Sequence, residues 1–481
     1  MAHRRGLEFV TLNAMSADTL IAFLRQQANR PGGTARVPAG RVLEGLGISR
    51  PTLMRAVQDA GDQVIAMGQT RRRAYAARRP LRGQWAPLPV FQVDEQGEPR
   101  QIGRLHLAHG HGCWLEGDPG WPQAPDDPAA QGGWHEGLPC PLQDMRPEGF
   151  LGRAFARAHA ALLQVPEDPR EWSDDDTLHA LSLLGSDAPG NLIVGEAAYQ
   201  RWAAQRLTAE SRATPQAERA TTWLQRAADA MQTGHAGSSA AGEFPKFTAS
   251  VQRAEGGTQH VLVKFSGLDD SPGSGRWADL LVCEHLALEA LQQLGVPAAR
   301  SRILQTGGRT FLEVDRFDRH GAHGRSPVCS WQAVGDTLLG DTSGPWPEAG
   351  RRLRQRGLIA KTDDASLRTL GLLWHFGRFI QNTDMHPGNL AFVPVDGRFQ
   401  VAPAYDMLPM HHAPVRGVEL PSRGFDVSLP LPDSFDVARP AAAAASAFWQ
   451  RSSQDERIGA GFRDVCARNA EALERLRRVM G

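Results

Sequence analysis

The stretch Asn382-Thr-Asp-Met-His-Pro-Gly-Asn-Leu-Ala-Phe392 follows an apolar run, Leu367-Arg-Thr-Leu-Gly-Leu-Leu-Trp-His-Phe-Gly-Arg-Phe-Ile380, with helical spacing. Asp384 and Asn389 stand five residues apart in it. Asp406 follows seventeen residues later, in Val401-Ala-Pro-Ala-Tyr-Asp-Met-Leu-Pro409. An aspartate can accept a proton from an attacking hydroxyl. An amide oxygen and a second carboxylate can hold a hard cation against phosphate oxygens. A turn former and a helix cap would account for either carboxylate alone, but not for the ordered set.

That spacing is the one found in the catalytic loop of protein kinases, and Asp406 stands where their second metal-chelating aspartate would stand. A two-carboxylate hydrolase or a metal site built on His386 would leave the upstream sequence unexplained. There, His260-Val-Leu-Val-Lys-Phe265 reads as a strand with a lysine near its end. Glu284 follows twenty residues later on an amphipathic run, the expected place for a carboxylate that pairs with Lys264. Before the strand lies Gly237-Ser-Ser-Ala-Ala-Gly-Glu-Phe-Pro-Lys246. Its small residues let backbone N–H groups approach a phosphate, and Lys246 adds charge. Only three of the 53 basic residues are lysine: Lys246, Lys264 and Lys361. Where arginine is the default cation, a retained lysine suggests a role that needs a compact ammonium.

Ser239-Ala-Ala-Gly-Glu-Phe-Pro-Lys, Val261-Leu-Val-Lys, Leu294-Gly-Val-Pro, Val314-Asp-Arg-Phe-Asp-Arg, Thr383-Asp-Met-His-Pro-Gly-Asn and Ala404-Tyr-Asp-Met-Leu-Pro run in order from about 235 to 410. Together they resemble the HipA-like serine/threonine kinases, toxins of bacterial toxin–antitoxin systems. The N-terminal helix-turn-helix described below makes the likeness greatest to the YjjJ-type members. The resemblance implies ATP and Mg²⁺ as cofactors. Asp384 would be the catalytic base, with Lys264 and Glu284 beside it. Asn389 and Asp406 would hold the metal. Ser239, Gly242, Lys246, Lys264, His386 and Asn389 would surround ATP, and the backbone from Asp315 to Phe317 would meet adenine. The family usually has Glu where Asp315 stands, and Glu-Phe-Pro between Gly242 and Lys246 departs from its commoner loop. The resemblance also implies autophosphorylation at Ser239, with Ser238 the near alternative, which expels the loop and switches the kinase off. The implied substrate is a protein, a translation factor such as an aminoacyl-tRNA synthetase in relatives, and a separate antitoxin is an implied partner.

Outward from this segment the chain is long. Its 481 residues predict two or three domains, and 41% hydrophobic with 22% charged residues predicts packed cores rather than disorder. Five scattered cysteines without CxxC spacing exclude a disulfide framework and fit a reducing compartment. No run of 18 apolar residues occurs and the first residues lack an apolar leader core, so no membrane partner and a cytoplasmic location are expected.

The neutral total hides an asymmetry. Residues 1–85 hold fourteen arginines and five acids, a net +9, and the remainder carries −9. A basic head points to an anionic partner, nucleic acid first, with docking on the acidic body as a built-in inhibitor the alternative. Ser16 begins one helical pattern. Val37 to Leu46 reads as a second, ended by Gly45 and Gly47. Ser49 caps a third from Pro51 to Ala60. Val64 to Gly68 and Arg71 to Arg79 then read as a two-stranded wing. This predicts double-stranded DNA binding, with Arg50, Thr52 and Arg55 on the recognition helix and Arg71, Arg72 and Arg73 on the wing.

Residues 86–116 read as β-rich. His106, His109, His111 and Cys113 match no standard zinc spacing and are better explained by alternation on a strand. Residues 115–147, rich in Gly, Pro and Asp, read as a long surface loop. The expected class is α+β: a two-lobed kinase-like fold (148–317 and 318–481) preceded by a winged helix-turn-helix (1–85) and a small β-rich subdomain with a loop (86–147). The function expected is a toxin-like protein kinase. The alternatives are a transcription regulator with a non-catalytic kinase-like sensor, and a small-molecule phosphotransferase.

Overall fold

The computed structural model describes residues 16–117, 120–207, 213–233, 244–415, 419–420 and 423–481. Packing divides the chain into two units. One holds residues up to Leu88 with Arg104–Gly117 and Ala129–Gly137; the other holds Pro89–Gly103, Asp118–Pro128 and Leu138–Gly481.

In the first unit the helices run Ala17–Ala28, Ala39–Leu46 and Arg50–Ala60. Ser16 Oγ accepts the Thr19 N–H, and Ser49 Oγ accepts that of Thr52, so each serine satisfies one orphan donor of its helix. Gly47 ends the middle helix at φ 63°, a conformation a side chain would resist. Leu20, Leu24, Val42, Leu53, Ala56 and Val64 form the core. The second helix starts two residues later than its sequence suggests, because Val37–Pro38 pairs with Ala74 and Tyr75 as a short strand. The wing pairs Val64–Met67 with Ala74–Ala77. Thr70–Arg72 is a 3-10 turn at its tip, so Arg71 and Arg72 are not on the strand as expected.

The other face of the wing is covered from later in the chain. Ile65, Met67, Ala74 and Ala76 are buried with Ala108 and Trp134. His106 bridges Arg78 and Glu116, at 3.0 Å on each side. His109–His111 forms a 3-10 turn rather than strand. Residues 115–147 are not a surface loop: Trp134 is on a short strand, Cys140–Asp144 is helical, and Trp121, Leu138 and Leu142 are buried. Isolated tryptophans among Gly and Pro are the sequence sign of a packed segment.

In the second unit an antiparallel four-stranded sheet runs in the order Ser301–Thr306, Arg309–Asp315, Thr258–Phe265, Lys246–Gln252. Strand alternation gives its two faces different work. Val261, Val263 and Phe265 pack with Trp223, Phe247 and Phe311. Each such fully buried side chain contributes about 1.5–3 kcal/mol. His260, Leu262 and Lys264 take the opposite face. Trp223 Nε1 donates to Glu313 at 2.7 Å and Arg219 pairs with the same carboxylate at 3.2 Å, tying the helix Arg219–Thr233 to the sheet.

The helix Pro272–Gln293 is capped by Ser271, has proline in its first turn and is largely buried. Downstream the chain is mainly helical, with Asp364–Phe379, Phe435–Gln454 and Ala460–Met480 around one apolar core. The architecture is α+β, with a two-lobed kinase-like body following the winged helix-turn-helix. No helix among the described residues is long and apolar enough to cross a membrane.

Candidate active site

Three elements bring the candidate residues together. Lys264 lies near the end of the strand Thr258–Phe265, directly opposite Lys246 on the neighbouring strand. Glu284 lies in the middle of the helix Pro272–Gln293. Lys264 Nζ donates to both oxygens of Glu284, at 2.8 and 2.7 Å, and also to Asp406 Oδ1. Lys264 is 2% exposed and Glu284 0%, so the pair is a buried ion pair and not a solvated one.

The catalytic-loop candidates follow the helix Asp364–Phe379, whose cap Asp363 accepts the Ser366 N–H at 3.0 Å. The helix ends where Gln381 enters the left-handed region at φ 58° and Asn382 N–H donates to the Gly377 carbonyl at 2.8 Å. The loop then holds itself. Asn382 Oδ1 accepts the Asp384 N–H at 3.0 Å, and Asn389 Nδ2 donates to the Asp384 carbonyl at 2.9 Å. The Gly388 N–H donates to His386 Nδ1 at 3.1 Å, so in the neutral ring Nε2 carries the hydrogen. Asn389 therefore uses its amide nitrogen inside the loop, which leaves its oxygen for an outside partner.

Asp406 sits at φ 54°, a strained position for a side-chain-bearing residue and one that marks functional turns. Two residues not singled out from sequence support it. Asn382 Nδ2 donates to the Asp406 carbonyl at 3.4 Å, and Tyr405 OH donates to the Gly388 carbonyl at 2.7 Å. They link the two loops that carry Asp384 and Asp406. Asn382 opens the motif quoted above, so position could have pointed to it; nothing in the sequence marks Tyr405.

The charges are coupled. Burial alone would lower the Lys264 pKa, but Asp406 and Glu284 outweigh it and hold the ammonium above its ordinary value. Burial would raise Asp406, yet Lys264 and Lys246 keep it below the usual carboxylate value. Burial raises Asp384, only partly offset by His386 and the two lysines and reinforced by Asp406. Asp384 is therefore more basic than an exposed aspartate, while Asp406 stays ionised.

Other expected residues divide. The Asp315 and Arg316 N–H groups are bonded to the Arg300 and His260 carbonyls, and the Asp315 carboxylate lies 4.0 Å from Arg253. The Phe317 ring lies 6.0 Å from that of Tyr405. Ser238, Ser239 and Gly242 lie outside the described residues. On the head, Arg50, Arg55 and Arg72 are exposed and Thr52 is half-buried. The Thr52 hydroxyl is 2.9 Å from that of Ser49, and Arg73 donates to the Gly68 carbonyl at 3.0 Å.

Among the described residues no group of three or more His, Cys, Asp and Glu side chains could hold a metal ion. The fit to Mg²⁺ rests instead on one carboxylate, Asp406, and one amide oxygen, that of Asn389. Two hard oxygen ligands suit an ion that keeps waters and takes the rest from phosphates.

Known proteins resemble the chain over most of its length. Residues 84–203 match the family model of the YjjJ-like toxin middle domain, and residues 238–473 match that of the HipA-like C-terminal domain. Over 432 residues the chain is 38% identical to Toxin YjjJ of Escherichia coli strain K12, covering 90% of this chain and 93% of the relative. The chain belongs to the YjjJ-like, HipA-related toxin family. Among solved structures, HipA of Shewanella oneidensis MR-1, determined with HipB and operator DNA, is 14% identical with a TM-score of 0.48, covering 81% of this chain and 99% of that one. The Helicobacter pylori proinflammatory kinase CtkA is 12% identical with a TM-score of 0.33, covering 48% and 90%. Both are loose superpositions.

Proposed function

We propose that this YjjJ-like chain is an ATP- and Mg²⁺-dependent protein serine/threonine kinase that phosphorylates its own loop at Ser239 or Ser238 and carries a DNA-binding head. The observation that carries the reading is the bidentate Lys264–Glu284 pair with Lys264 also on Asp406. A buried ammonium held between two carboxylates at the end of a strand is the arrangement phosphoryl transfer uses, and a two-carboxylate hydrolase does not require it.

In this reading Mg²⁺ held by Asn389 and Asp406 neutralises charge on the phosphates when bound. Glu284 fixes the Lys264 ammonium so that it meets phosphate oxygens without reorganisation. Lys246, opposite Lys264 in the sheet, adds a second cation on the same side. Asp384 takes the proton as the substrate hydroxyl oxygen bonds to the γ-phosphorus and the bond to ADP breaks. Its raised pKa suits that proton transfer. Asn382 and Tyr405 are positioning residues.

A phosphoryl group on Ser239 would place about two negative charges against the phosphates of ATP and oppose its binding. The arginine-rich head would recognise operator DNA and an antitoxin could join it there. The substrate would be a protein of the translation apparatus. The test is incubation of the pure protein with labelled ATP and Mg²⁺, with and without cell lysate, followed by phosphosite mapping. Label on Ser238 or Ser239 and on a discrete lysate protein is expected. Absence of any serine or threonine label would contradict the reading.

A further inference from the structure

A second cluster of cations lies away from Lys264. A cavity of about 290 Å³ is lined by Arg206, Arg226, Arg316, Arg319, Arg325 and His260. His260 is four residues from Lys264 on one strand, a separation of roughly 13 Å. The cavity therefore does not coincide with the place where Lys264 would meet phosphates.

Most of these guanidiniums have carboxylate partners. Arg316 pairs with Asp187 at 3.1 Å and with Asp318 at 3.0 Å. Arg319 pairs with the same two, at 3.1 and 2.6 Å. Arg206 pairs with Glu98 at 2.8 Å. The remaining two do not. Arg226 donates to the Thr248 carbonyl at 3.0 Å and lies over the rings of Trp223 and Phe247. Arg325 donates to the Ser186 carbonyl at 2.5 Å, and its Nη1 has no hydrogen-bond partner although the residue is only 4% exposed. Five cations thus face three carboxylates. Arg226 is half-buried, and the buried Arg325 has Asp187 and Asp318 near it but no carboxylate at ion-pair distance, an arrangement that is costly unless something supplies a closer charge. Asp187 also lines the cavity, and its carboxylate is already held by Arg316 and Arg319.

We propose that this cavity binds a phosphate monoester dianion. Its charge of about −2 near neutral pH matches the two guanidiniums left without a carboxylate, and arginine forks suit phosphate oxygens. Trp202 on the wall is almost fully buried with Arg206 over its ring, so the lining a ligand meets is mainly guanidinium and hydroxyl groups. The inference is independent of phosphoryl transfer.

Calorimetric titration of the full chain with inorganic phosphate, O-phosphoserine and AMP tests it. Binding is expected, weakened by added salt, and reduced about tenfold or more by Arg226→Gln. Arg226 is at the cavity wall and outside the buried ion network, so that variant should melt like the parent. Arg325→Lys, which keeps the charge but loses the fork, should weaken binding as well. Tighter binding of phosphoserine or of AMP identifies the source of the phosphate. Equal affinity in the parent and Arg226→Gln, or loss of binding in Lys264→Met with retention in Arg226→Gln, would overturn the proposal. So would absence of heat from all three probes.

Discussion

Lys264 and Glu284 meet through two hydrogen bonds of 2.8 and 2.7 Å, both side chains buried, one residue from the sheet and the other from a helix. A buried pair of this kind is weak evidence for stability and better evidence for a required geometry. Removing one partner leaves an uncompensated charge. Lys264→Met should therefore destabilise the chain by about 3–5 kcal/mol. Adding Glu284→Leu to it should restore part of that loss. Denaturant unfolding of the two singles and the double provides the cycle. Additive losses would show that the pair is not coupled.

Activity should respond differently from stability. Glu284→Gln leaves Lys264 paired with Asp406 and keeps the packing. Phosphoryl transfer should nevertheless fall by roughly 10²–10³, the scale for losing one preorganised electrostatic contact. The check is initial-rate labelling of the folded variant. A near-parental rate would remove Glu284 from the machinery.

Asp384 gives a pH dependence. Its folded pKa is raised, chiefly by burial, and the base must be deprotonated to act. The rate should rise with pH through a limb lying above the ordinary aspartate value of about 3.9. His386 and the lysines restrain the shift, so His386→Ala should move the limb further up. A pH–rate profile over the acid range tests this. A limb at or below the ordinary value would contradict the role.

How much of this was legible in the sequence depended on the range of the interaction. The caps at Ser16 and Ser49 and the turn at Gly47 act within a few residues, and local spacing showed them. Lys264 and Glu284 were legible because strand and helix fix where the two side chains lie. Tyr405 was not, because its hydroxyl meets the Gly388 carbonyl across two loops and no periodicity encodes that contact. The strand at Val37–Pro38 is too short to carry a period of two. Residues 115–147 looked like a loop by composition, yet Trp121 and Leu142 are buried. The ion cluster around Asp318 was legible only in part, since Arg316 and Arg319 lie within two residues of it whereas Asp187 reaches it from far along the chain. Its partners come from residues 187, 316 and 319.

That cluster carries a stability prediction. Burial would raise the Asp318 pKa, but Arg316 and Arg319 outweigh it and hold the carboxyl well below its ordinary value. A depressed carboxylate contributes stability above its unfolded pKa of about 3.9 and loses it as pH falls through the folded value. Asp318→Asn should cost about 3–5 kcal/mol near neutral pH. The difference from the parent should shrink only in strong acid. Urea midpoints at neutral and acid pH measure both; a difference independent of pH would contradict the charge argument.

For the head, Arg55 on the exposed face of Arg50–Ala60 should act differently from Arg72 at the wing tip. In the full chain, Arg55→Ala should lower discrimination between DNA sequences. Arg72→Ala should weaken all duplexes about equally and reduce the salt slope by about one. Mobility shifts over a salt series separate the two effects. The intact chain is needed, because Ala108 and Trp134 cover the wing. Salt-insensitive binding, or none, would remove DNA from the account.

The most direct test of the central claim is labelling by Asp384→Asn and Asp406→Asn. Each purified variant is incubated with labelled ATP and Mg²⁺ beside the parent, and its melting is measured on the same sample. The account predicts loss of self-labelling and of lysate labelling by orders of magnitude in both, with the fold retained. Near-parental labelling by either variant would contradict it.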